Sequence, residues 1–315
     1  MNGLYIVDKP YGYSSRDVVN RICGILHTKK VGHGGTLDPI ATGVLIIAVG
    51  NALRTLEFIT NDTKEYIATV KIGLITDTLD ITGNIIQKTD NYSLNKSFLE
   101  KTLNSFIGKY NQEVPLYSSV RVNGKRLYKY AREKESVILP KREVEIFKIE
   151  LLDFNNDEFK FKVLVSKGTY IRSLIRDIGE KIGIFCTMKE LVRTKQGSIS
   201  IKDSVTIEEI ENGTAKLISV EKALNDIDFI SVDDYLENKI LNGSILENRY
   251  NKKIIGFKNN DGEVLALYEI YDKDNNKIKP IKVFKGDWHL LFLCRLLHMH
   301  SLYLHIYIVN LQFAW

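Results

Sequence analysis

A glycine-rich segment, KKVGHGGTLDPIATGVL at residues 29–45, holds the side chains best suited to chemistry in this 315-residue chain. It places His33, Asp38 and Thr42 among four glycines. Glycines at this density let the backbone take positive φ and approach a ligand closely, and Pro39 favours an extended backbone at Asp38. The segment therefore predicts one carboxylate on a tight loop, either a reactive group or a capping group in a structural turn. No Gly-Lys-Ser/Thr follows, which excludes the P-loop pattern.

A second polar segment, SKGTYIRSLIRDIGEKIG at residues 166–183, joins a predicted strand to a predicted helix. Arg172 lies at that junction, where an arginine can bind a carboxylate through two hydrogen bonds. Arg176 lies one turn further along the helix, and we expect it to pair with Glu180 on the surface. The segment thus offers Arg172 as a candidate ligand for a carboxylate and Arg176 as a structural residue.

The spacing of apolar residues predicts helices and strands in an irregular order. The predicted strands are residues 3–8, 65–72, 144–154 and 159–166, and the predicted helices are residues 14–26, 94–107 and 171–184. The continuous apolar run 43–48 fits a buried strand or a helix segment. The inward face of the helix at 94–107 is expected to hold Leu94, Phe98, Leu99, Leu103 and Ile107. Such an order indicates an α+β fold rather than a βαβ repeat.

The composition is that of an ordinary globular protein, with 44% hydrophobic residues and a net charge of +5, which excludes disorder for most of the length. The three cysteines, Cys23, Cys186 and Cys294, form no CxxC pair. A disulfide scaffold and a structural zinc site are therefore excluded, and a reducing compartment is expected. The N-terminus reaches Asp8 and Pro10 before any signal-peptide core, so we expect a cytoplasmic protein.

Charge is distributed unevenly along the chain. Residues 101–200 carry 20 basic and 12 acidic side chains, whereas residues 201–250 carry 5 and 11. Basic residues alternate with tyrosines in RVNGKRLYKYAREK at 121–134. This pattern fits a surface that binds a polyanion, but it also fits a solvated helix face with tyrosines in the core.

The C-terminal part differs in composition from the rest. Residues 251–284 read as short strands joined by turns at 259–262 and 274–276, which predicts a small β-barrel or sandwich. The last 31 residues, 285–315, hold both tryptophans and four of the six histidines. A membrane span over 290–311 is disfavoured because Arg295, histidines and Asn310 interrupt it. We interpret this tail as foreign to the fold and assign it no function.

Several motifs occur in one order: GLYIVDKPYGYSSRDVV, VGHGGTLDPIATGVLIIAVG, KEYIATVKIGLITDTLDITG, VPLYSSVRVNGKRLYKYAR, SKGTYIRSLIRDIGEKIG and LVRTKQGSI. Together they resemble the TruB family of tRNA pseudouridine synthases over nearly all of residues 1–284. The resemblance implies an α+β catalytic domain at 1–225 with a mixed, mainly antiparallel sheet and flanking helices. It also implies a small β-rich, PUA-like RNA-binding module at 230–284.

The resemblance implies roles for three catalytic residues. Asp38 would be the nucleophile, and Arg172 would hold it ionised by lowering its pKa. Tyr66 would stack on a flipped-out uracil and transfer a proton, although periodicity alone equally fits an exposed strand tyrosine.

Further residues would contact the substrate. His33 would pack near the extruded base, Tyr170 and Leu191 would line its pocket, and Lys9 would support the floor of the site together with Pro10. Arg121 and Lys125 belong to the basic segment that would bind RNA.

The implied substrate is uridine 55 in the TΨC loop of tRNA, and the C-terminal module would bind the acceptor stem. The reaction is an isomerisation that needs no cofactor or metal, and we expect a monomer that does not bind membranes. Two other classes stay open. One is a non-catalytic RNA-binding protein or tRNA chaperone, and the other is an enzyme that uses the Asp38 loop for a small phosphorylated substrate.

Overall fold

The chain divides after Ile218 into two compact units. The computed structural model describes residues 2–59, 63–224, 226–250 and 252–284, so the tail at 285–315 lies outside the described residues. Within those ranges no helix is both long and apolar enough to cross a membrane. The limits inferred from sequence for the domains, 1–225 and 230–284, stay predictions.

The first unit combines a large sheet with helices. Its strands are β1 (Gly3–Lys9), β2 (Val31–His33), β3 (Ala41–Val49), β4 (Lys64–Ile72), β5 (Leu74–Thr76), β6 (Ile85–Lys88), β7 (Gly108–Glu113), β8 (Arg121–Val122), β9 (Lys125–Arg126), β10 (Lys141–Phe154), β11 (Glu158–Val165), β12 (Cys186–Gln196) and β13 (Ile199–Ser200). Its α-helices are α1 (Ser15–Ile25), α2 (Leu56–Ile59), α3 (Lys96–Asn104), α4 (Leu127–Glu133), α5 (Ile171–Ile182) and α6 (Ile207–Glu211).

Nine of these strands form one sheet. Seven follow the order β1-β3-β12-β4-β11-β10-β7, while β2 pairs with β3 and β13 pairs with β12. Only the β3–β12 pairing is parallel within this sheet, and the others are antiparallel. The predicted α+β fold with a mixed, mainly antiparallel sheet is thus confirmed. Two short ribbons, β5–β6 and β8–β9, stand apart from the sheet.

Local sequence explains where the elements that carry the site begin and end. Helix α1 starts at a capping box in which Ser14 and Asp17 satisfy each other's backbone N–H groups, and its apolar face at Val18 and Ile22 is buried. Helix α5 buries an apolar stripe and ends at Gly183, whose φ of +74° suits a glycine. The apolar run at 43–48 is a strand, β3, which is buried along most of its length.

Helix α3 is shorter than the pattern predicted. Asn95 caps it, so Leu94 precedes the helix and the spacing from Leu94 to Phe98 marks no helical face. Phe98 is 49% exposed and Ile107, beyond the helix end, is 50% exposed, so the inward positions predicted for these two residues are wrong. The buried face is made by Leu99, Thr102 and Leu103.

The second unit is rich in strands, as predicted. Its elements are helices α7 (Val220–Ala223) and α8 (Asp234–Leu241) and strands β14 (Phe229–Ser231), β15 (Leu246–Glu247), β16 (Ile254–Lys258), β17 (Val264–Tyr271) and β18 (Asp274–Val283). The strands form one sheet in the order β14-β16-β17-β18-β15. Its core includes Val232, Ile240, Phe257 and Tyr268.

One of the two turns predicted in this unit is displaced. The turn at 259–262 is present, with Gly262 N–H bonded to Asn259 O. The other turn lies at Asp272 and Lys273, before β18, rather than at 274–276. Residues 275 and 276 extend the sheet instead, because their carbonyls accept hydrogen bonds from Asn248.

Candidate active site

The segment that carries Asp38, residues 34–39, lies between β2 and β3, and each of its backbone carbonyls is hydrogen-bonded. Six consecutive carbonyls each accept a hydrogen bond. Gly34 O accepts from Gln196 Nε2 at 2.9 Å, Gly35 O and Thr36 O from Arg193 at 3.3 and 3.5 Å, Leu37 O from Ser15 Oγ at 3.2 Å, Asp38 O from Ala41 N at 3.0 Å, and Pro39 O from Gly12 N at 2.9 Å. The loop is therefore ordered by the protein itself.

Two glycines of the segment have the backbone conformation that was predicted. Gly35 and Gly43 both take positive φ, at +104° and +93°. A Cβ on Gly43 would lie 2.3 Å from the carbonyl oxygen of Arg193, because β3 and β12 run side by side there. Gly43 therefore permits the close approach of a neighbouring strand, while the predicted approach to a ligand stays a prediction.

Asp38 and Arg172 form a two-point ion pair. Arg172 Nε lies 2.9 Å from Asp38 Oδ2, and Arg172 Nη2 lies 3.1 Å from Asp38 Oδ1. The guanidinium side chain is 6% exposed, whereas the Asp38 side chain is 34% exposed. The predicted junction of β11 and α5 thus brings an arginine to a carboxylate 134 residues earlier, and leaves the carboxylate open to an incoming group.

Arg172 is fixed by further acceptors. Its Nη1 donates to Thr78 O at 2.9 Å, and its Nη2 donates to Tyr117 O at 3.0 Å. A second carboxylate, Asp80 Oδ2, lies 3.9 Å from Nη1. The guanidinium therefore sits between two carboxylates and two carbonyls, in a fixed orientation.

Asp80 was not identified as a site residue from the sequence. It is buried, and its Oδ1 accepts hydrogen bonds from the Thr78 hydroxyl and from the backbone and hydroxyl of Thr82. The signal was present in the segment TDTLDITG, where threonines flank the acid at i−2 and i+2. Such spacing indicates a locally hydrogen-bonded carboxylate rather than a free one.

Burial raises the pKa of Asp38, and this effect outweighs the guanidinium of Arg172, which lowers it. The charge of Asp80 raises the pKa of Asp38 further. The prediction that Arg172 lowers this pKa is right for that one contact, but it is wrong for the net direction, because protein encloses most of the Asp38 side chain and its charged form is then less well hydrated.

Lys9 lies beneath the loop and is fully buried. Its ammonium donates to the carbonyls of Pro10, Tyr13 and Pro39, at 2.9, 2.6 and 3.3 Å. Burial lowers the pKa of Lys9 to about 8, and the nearby charge of Arg193 adds to this. All these acceptors are backbone carbonyls, so Lys9 joins the start of α1 to the Asp38–Pro39 turn.

Tyr66 and Leu191 lie within the sheet next to this loop. Tyr66 is 6% exposed on β4, opposite Arg193 of β12, so the alternative of an exposed strand tyrosine is wrong. Leu191 is also 6% exposed and lies opposite Ala41, three residues after Asp38.

His33 ends β2 just before the loop. Its Nδ1 is buried and has no hydrogen-bond partner in the part of the chain that the structure describes. Burial lowers the pKa of His33, and the charges of Arg16 and Arg193 lower it further, which favours a neutral imidazole.

Tyr170 immediately precedes α5 and is half-buried. Its ring centroid lies 5.7 Å from the guanidinium carbon of Arg142. Arg172 follows two residues later, so Tyr170 and the arginine of the ion pair both lie at the N-terminal end of α5.

The basic residues predicted to bind RNA form a separate hairpin. Asn123 and Gly124 both take positive φ, which is the geometry of a type I′ turn between β8 and β9. Arg121 is exposed, whereas Lys125 is ion-paired with Glu133 and Glu135. This hairpin begins four residues after Tyr117, whose carbonyl binds Arg172.

Arg176 is held within the fold, by more partners than predicted. It pairs with Glu180 at 3.8 Å, as the spacing indicated, but it lies closer to Glu113 at 3.0 Å and to Asp177 at 2.7 Å.

Among the described residues, no cluster of three or more His, Cys, Asp or Glu side chains is arranged to hold a metal ion.

The fold resembles those of two solved structures. It matches the chain titled "Structure of H/ACA RNP bound to a substrate RNA containing 2'-deoxyuridine" with a TM-score of 0.67 at 23% identity, over 91% of this chain and 86% of that one. It also matches a chain of a Cbf5-Nop10-Gar1 complex, with a TM-score of 0.68 at 24% identity, over 90% of this chain and 85% of that one. At this identity the likeness concerns the fold alone.

Sequence comparison is more specific. Residues 24–171 match the family model described as TruB family pseudouridylate synthase (N terminal domain), and residues 172–231 match that of the tRNA pseudouridylate synthase B C-terminal domain. The chain is 40% identical over 301 residues to the tRNA pseudouridine synthase B of Oceanobacillus iheyensis, covering 90% of this chain and 98% of that protein. It is 42% identical over 302 residues to the one from Staphylococcus aureus strain MSSA476, covering 90% and 99%. The chain therefore belongs to the TruB family.

Proposed function

We propose that this chain isomerises uridine 55 in the TΨC loop of tRNA to pseudouridine, with Asp38 as the nucleophile and without a cofactor. The observation that carries the proposal is the two-point pair of Asp38 and Arg172 at 2.9 and 3.1 Å, in a member of the TruB family. The relatives described above are named tRNA pseudouridine synthase B, which supports tRNA as the substrate class.

The reaction exchanges one bond for another without redox change. The N1–C1′ bond of uridine breaks, the uracil rotates and C5 bonds to C1′. The C5 hydrogen then leaves as a proton and N1 takes up a proton, so the product is an isomer of the substrate. Asp38 would act by attacking C1′, by removing the 2′ proton, or by adding to C6, and each path needs the carboxylate ionised. Arg172 supports every path, because it favours the charged form of Asp38 and fixes the orientation of the Asp38 carboxylate oxygens.

Other residues would serve the base. Tyr66 lies buried on β4, the strand next to β12. It would stack on the uracil and carry the proton that leaves C5 towards solvent. His33 would pack on the extruded nucleotide as a neutral ring, since its pKa is lowered. Tyr170 and Leu191 would line the pocket, and Lys9 would act from below by holding Pro39 O.

Binding must supply the energy of base flipping, which is a few kcal/mol of lost stacking and pairing. The exposed hairpin with Arg121 would contact RNA phosphates, and Lys125 would join it if a phosphate displaced Glu133 and Glu135. The β-rich second unit would act as a PUA-like module on the acceptor stem. We further propose that the protein acts as a monomer.

The test is tritium release from unmodified tRNA transcribed with 5-tritiated uridine. Rearrangement at C5 expels that hydrogen, so we expect release by the wild type and a loss of roughly 10⁴-fold or more with Asp38→Asn. Replacing uridine 55 in the tRNA should abolish release.

Asp38→Asn keeps the size of the side chain, so tRNA binding measured in parallel serves as the control for folding. Tight binding without release by either protein would reject the synthase in favour of an RNA-binding protein or chaperone. Neither release nor binding would reject RNA as the substrate.

A further inference from the structure

Gln112, the penultimate residue of β7, is fully buried and lies against the start of α5. We propose that it is a positioning residue of the site, which fixes Tyr170 and through that residue the orientation of Arg172. This inference rests on the proposed function, because Tyr170 and Arg172 have their roles there.

The side-chain amide of Gln112 binds both polar groups of one residue. Its Oε1 accepts from Tyr170 N at 2.8 Å, and its Nε2 donates to Tyr170 O at 3.1 Å and to the Tyr110 hydroxyl at 2.6 Å. A backbone N–H can only donate and a carbonyl can only accept, so these contacts also fix which way the amide is turned.

Helix α5 needs this contact at its first turn. The N–H that Gln112 binds is that of Tyr170, the residue just before the helix, and Gln112 Oε1 is the acceptor that the fold provides for it. An amide removed from water is costly to leave unpaired, and here its donor and its acceptor are both used. An apolar side chain of the same length offers neither bond to Tyr170.

A second side chain holds the ring of the same tyrosine. Arg142 of β10 lies directly opposite Gln112 of β7, so both side chains project from the same face of the sheet. The Arg142 guanidinium carbon is 5.7 Å from the Tyr170 ring centroid. Gln112 therefore fixes the backbone of Tyr170, while Arg142 packs against its ring.

The same stretch of chain also binds Arg172. Five residues after Gln112, Tyr117 O accepts from Arg172 Nη2 at 3.0 Å. Segment 112–117 thus contacts the N-terminal end of α5 twice, at Tyr170 and at Arg172. Without Gln112 the first turn of α5 would lose its two bonds to β7 at Tyr170, while the bond from Ser173 to Glu113 O would remain. A displacement of about 1 Å at reacting groups can cost 100-fold in rate.

The experiment uses Gln112→Met, which keeps the length of the side chain and removes both bonds. Its matched control is Ser173→Ala, which removes the 2.8 Å bond from Ser173 Oγ to Glu113 O between the same strand and helix. Three quantities are measured: the thermal midpoint, the Kd for tRNA, and the single-turnover rate of tritium release across pH with enzyme in excess.

We expect Gln112→Met to lower the single-turnover rate by about 100-fold at saturating enzyme, with the Kd changed by less than about threefold. The acidic limb of its pH–rate profile should move to higher pH, because a displaced Arg172 opposes the effect of burial on the pKa of Asp38 less strongly. Ser173→Ala should lower the thermal midpoint but keep the rate and the acidic limb of the wild type.

An unchanged rate in Gln112→Met would overturn the proposal, and so would equal rate losses in the two variants, since those would indicate general destabilisation. If Gln112→Met does not fold, Gln112→Glu decides. It keeps an acceptor for Tyr170 N–H but places a carboxylate oxygen against Tyr170 O, so we expect a loss of about tenfold at neutral pH. If the wild type released no tritium, the proposed function itself would be rejected. That result is distinct from a failure of the Gln112 proposal, in which the wild type is active and Gln112→Met is equally active.

Discussion

Two buried arginines form hydrogen bonds at Asp38 and the loop that carries it, and the groups that they bind differ. Arg172, 6% exposed, binds the Asp38 carboxylate together with the carbonyls of Thr78 and Tyr117. Arg193, 1% exposed, binds carbonyls alone, those of Val44, Gly35 and Thr36. Among the described residues, Arg193 forms no ion pair.

The difference separates two uses of one residue type. Arg172 binds an ionisable group, so it sets the charge and orientation of that group. Arg193 binds backbone dipoles, so it sets the path of the loop. Its positive charge also acts on neighbouring groups, since it lowers the pKa of both Lys9 and His33. A buried cation without a carboxylate is costly, and hydrogen bonds to carbonyls offset that cost.

The comparison predicts that Arg172→Met acts mainly on the rate. The loss of a two-point electrostatic partner should lower the single-turnover rate of tritium release by about 10³-fold. The acidic limb of the pH–rate profile should move to higher pH, since Arg172 is the strongest influence that lowers the pKa of Asp38 and burial would then be opposed less. Arg172→Lys, which keeps the charge but loses the planar fork, should recover only part of the rate. A Met variant as active as the wild type would break the comparison.

Arg193→Met should act mainly on stability. Three buried carbonyls lose their donor, at about 1 kcal/mol each, so the free energy of unfolding should fall by about 3 kcal/mol. Urea denaturation measures this fall, and the rate of the folded variant at low temperature should stay within about tenfold of the wild type. If Arg193→Met instead kept its stability and lost as much rate as Arg172→Met, the two arginines would share one role.

The smallest effect is expected from Asp80→Asn, which removes the second carboxylate near Arg172 while keeping its size. The charge of Asp80 raises the pKa of Asp38, so its removal lowers that pKa and moves the acidic limb to lower pH. The rate at neutral pH should fall by about tenfold, because Arg172 loses one of its fixed contacts. A shift of the limb to higher pH would show that Asp80 acts by placing Arg172 and not by its charge.

Local patterns in the sequence predicted the elements well where one signal dominated. The strands predicted at 144–154 and 159–166 correspond to β10 and β11, and the helix predicted at 14–26 corresponds to α1. The pattern failed at Ile107, because apolar periodicity does not show where a helix ends.

The site was less predictable, because its contacts join residues far apart in sequence. The strand-to-helix junction pointed to Arg172, and the family resemblance supplied Asp38 as its partner. Neither could show that burial outweighs Arg172 in setting the pKa of Asp38, since burial depends on the whole fold. Gln112 gave no signal, because its bonds to Tyr170 span 58 residues.

The six bonded carbonyls of loop 34–39 bear on when conformational entropy is lost. Ordering a backbone residue costs about 1–2 kcal/mol, so six residues cost roughly 6–12 kcal/mol. Because every donor to these carbonyls comes from the chain itself, this entropy is lost when the protein folds and not when RNA arrives. The binding energy of the RNA then remains available for distorting the RNA rather than for assembling the enzyme.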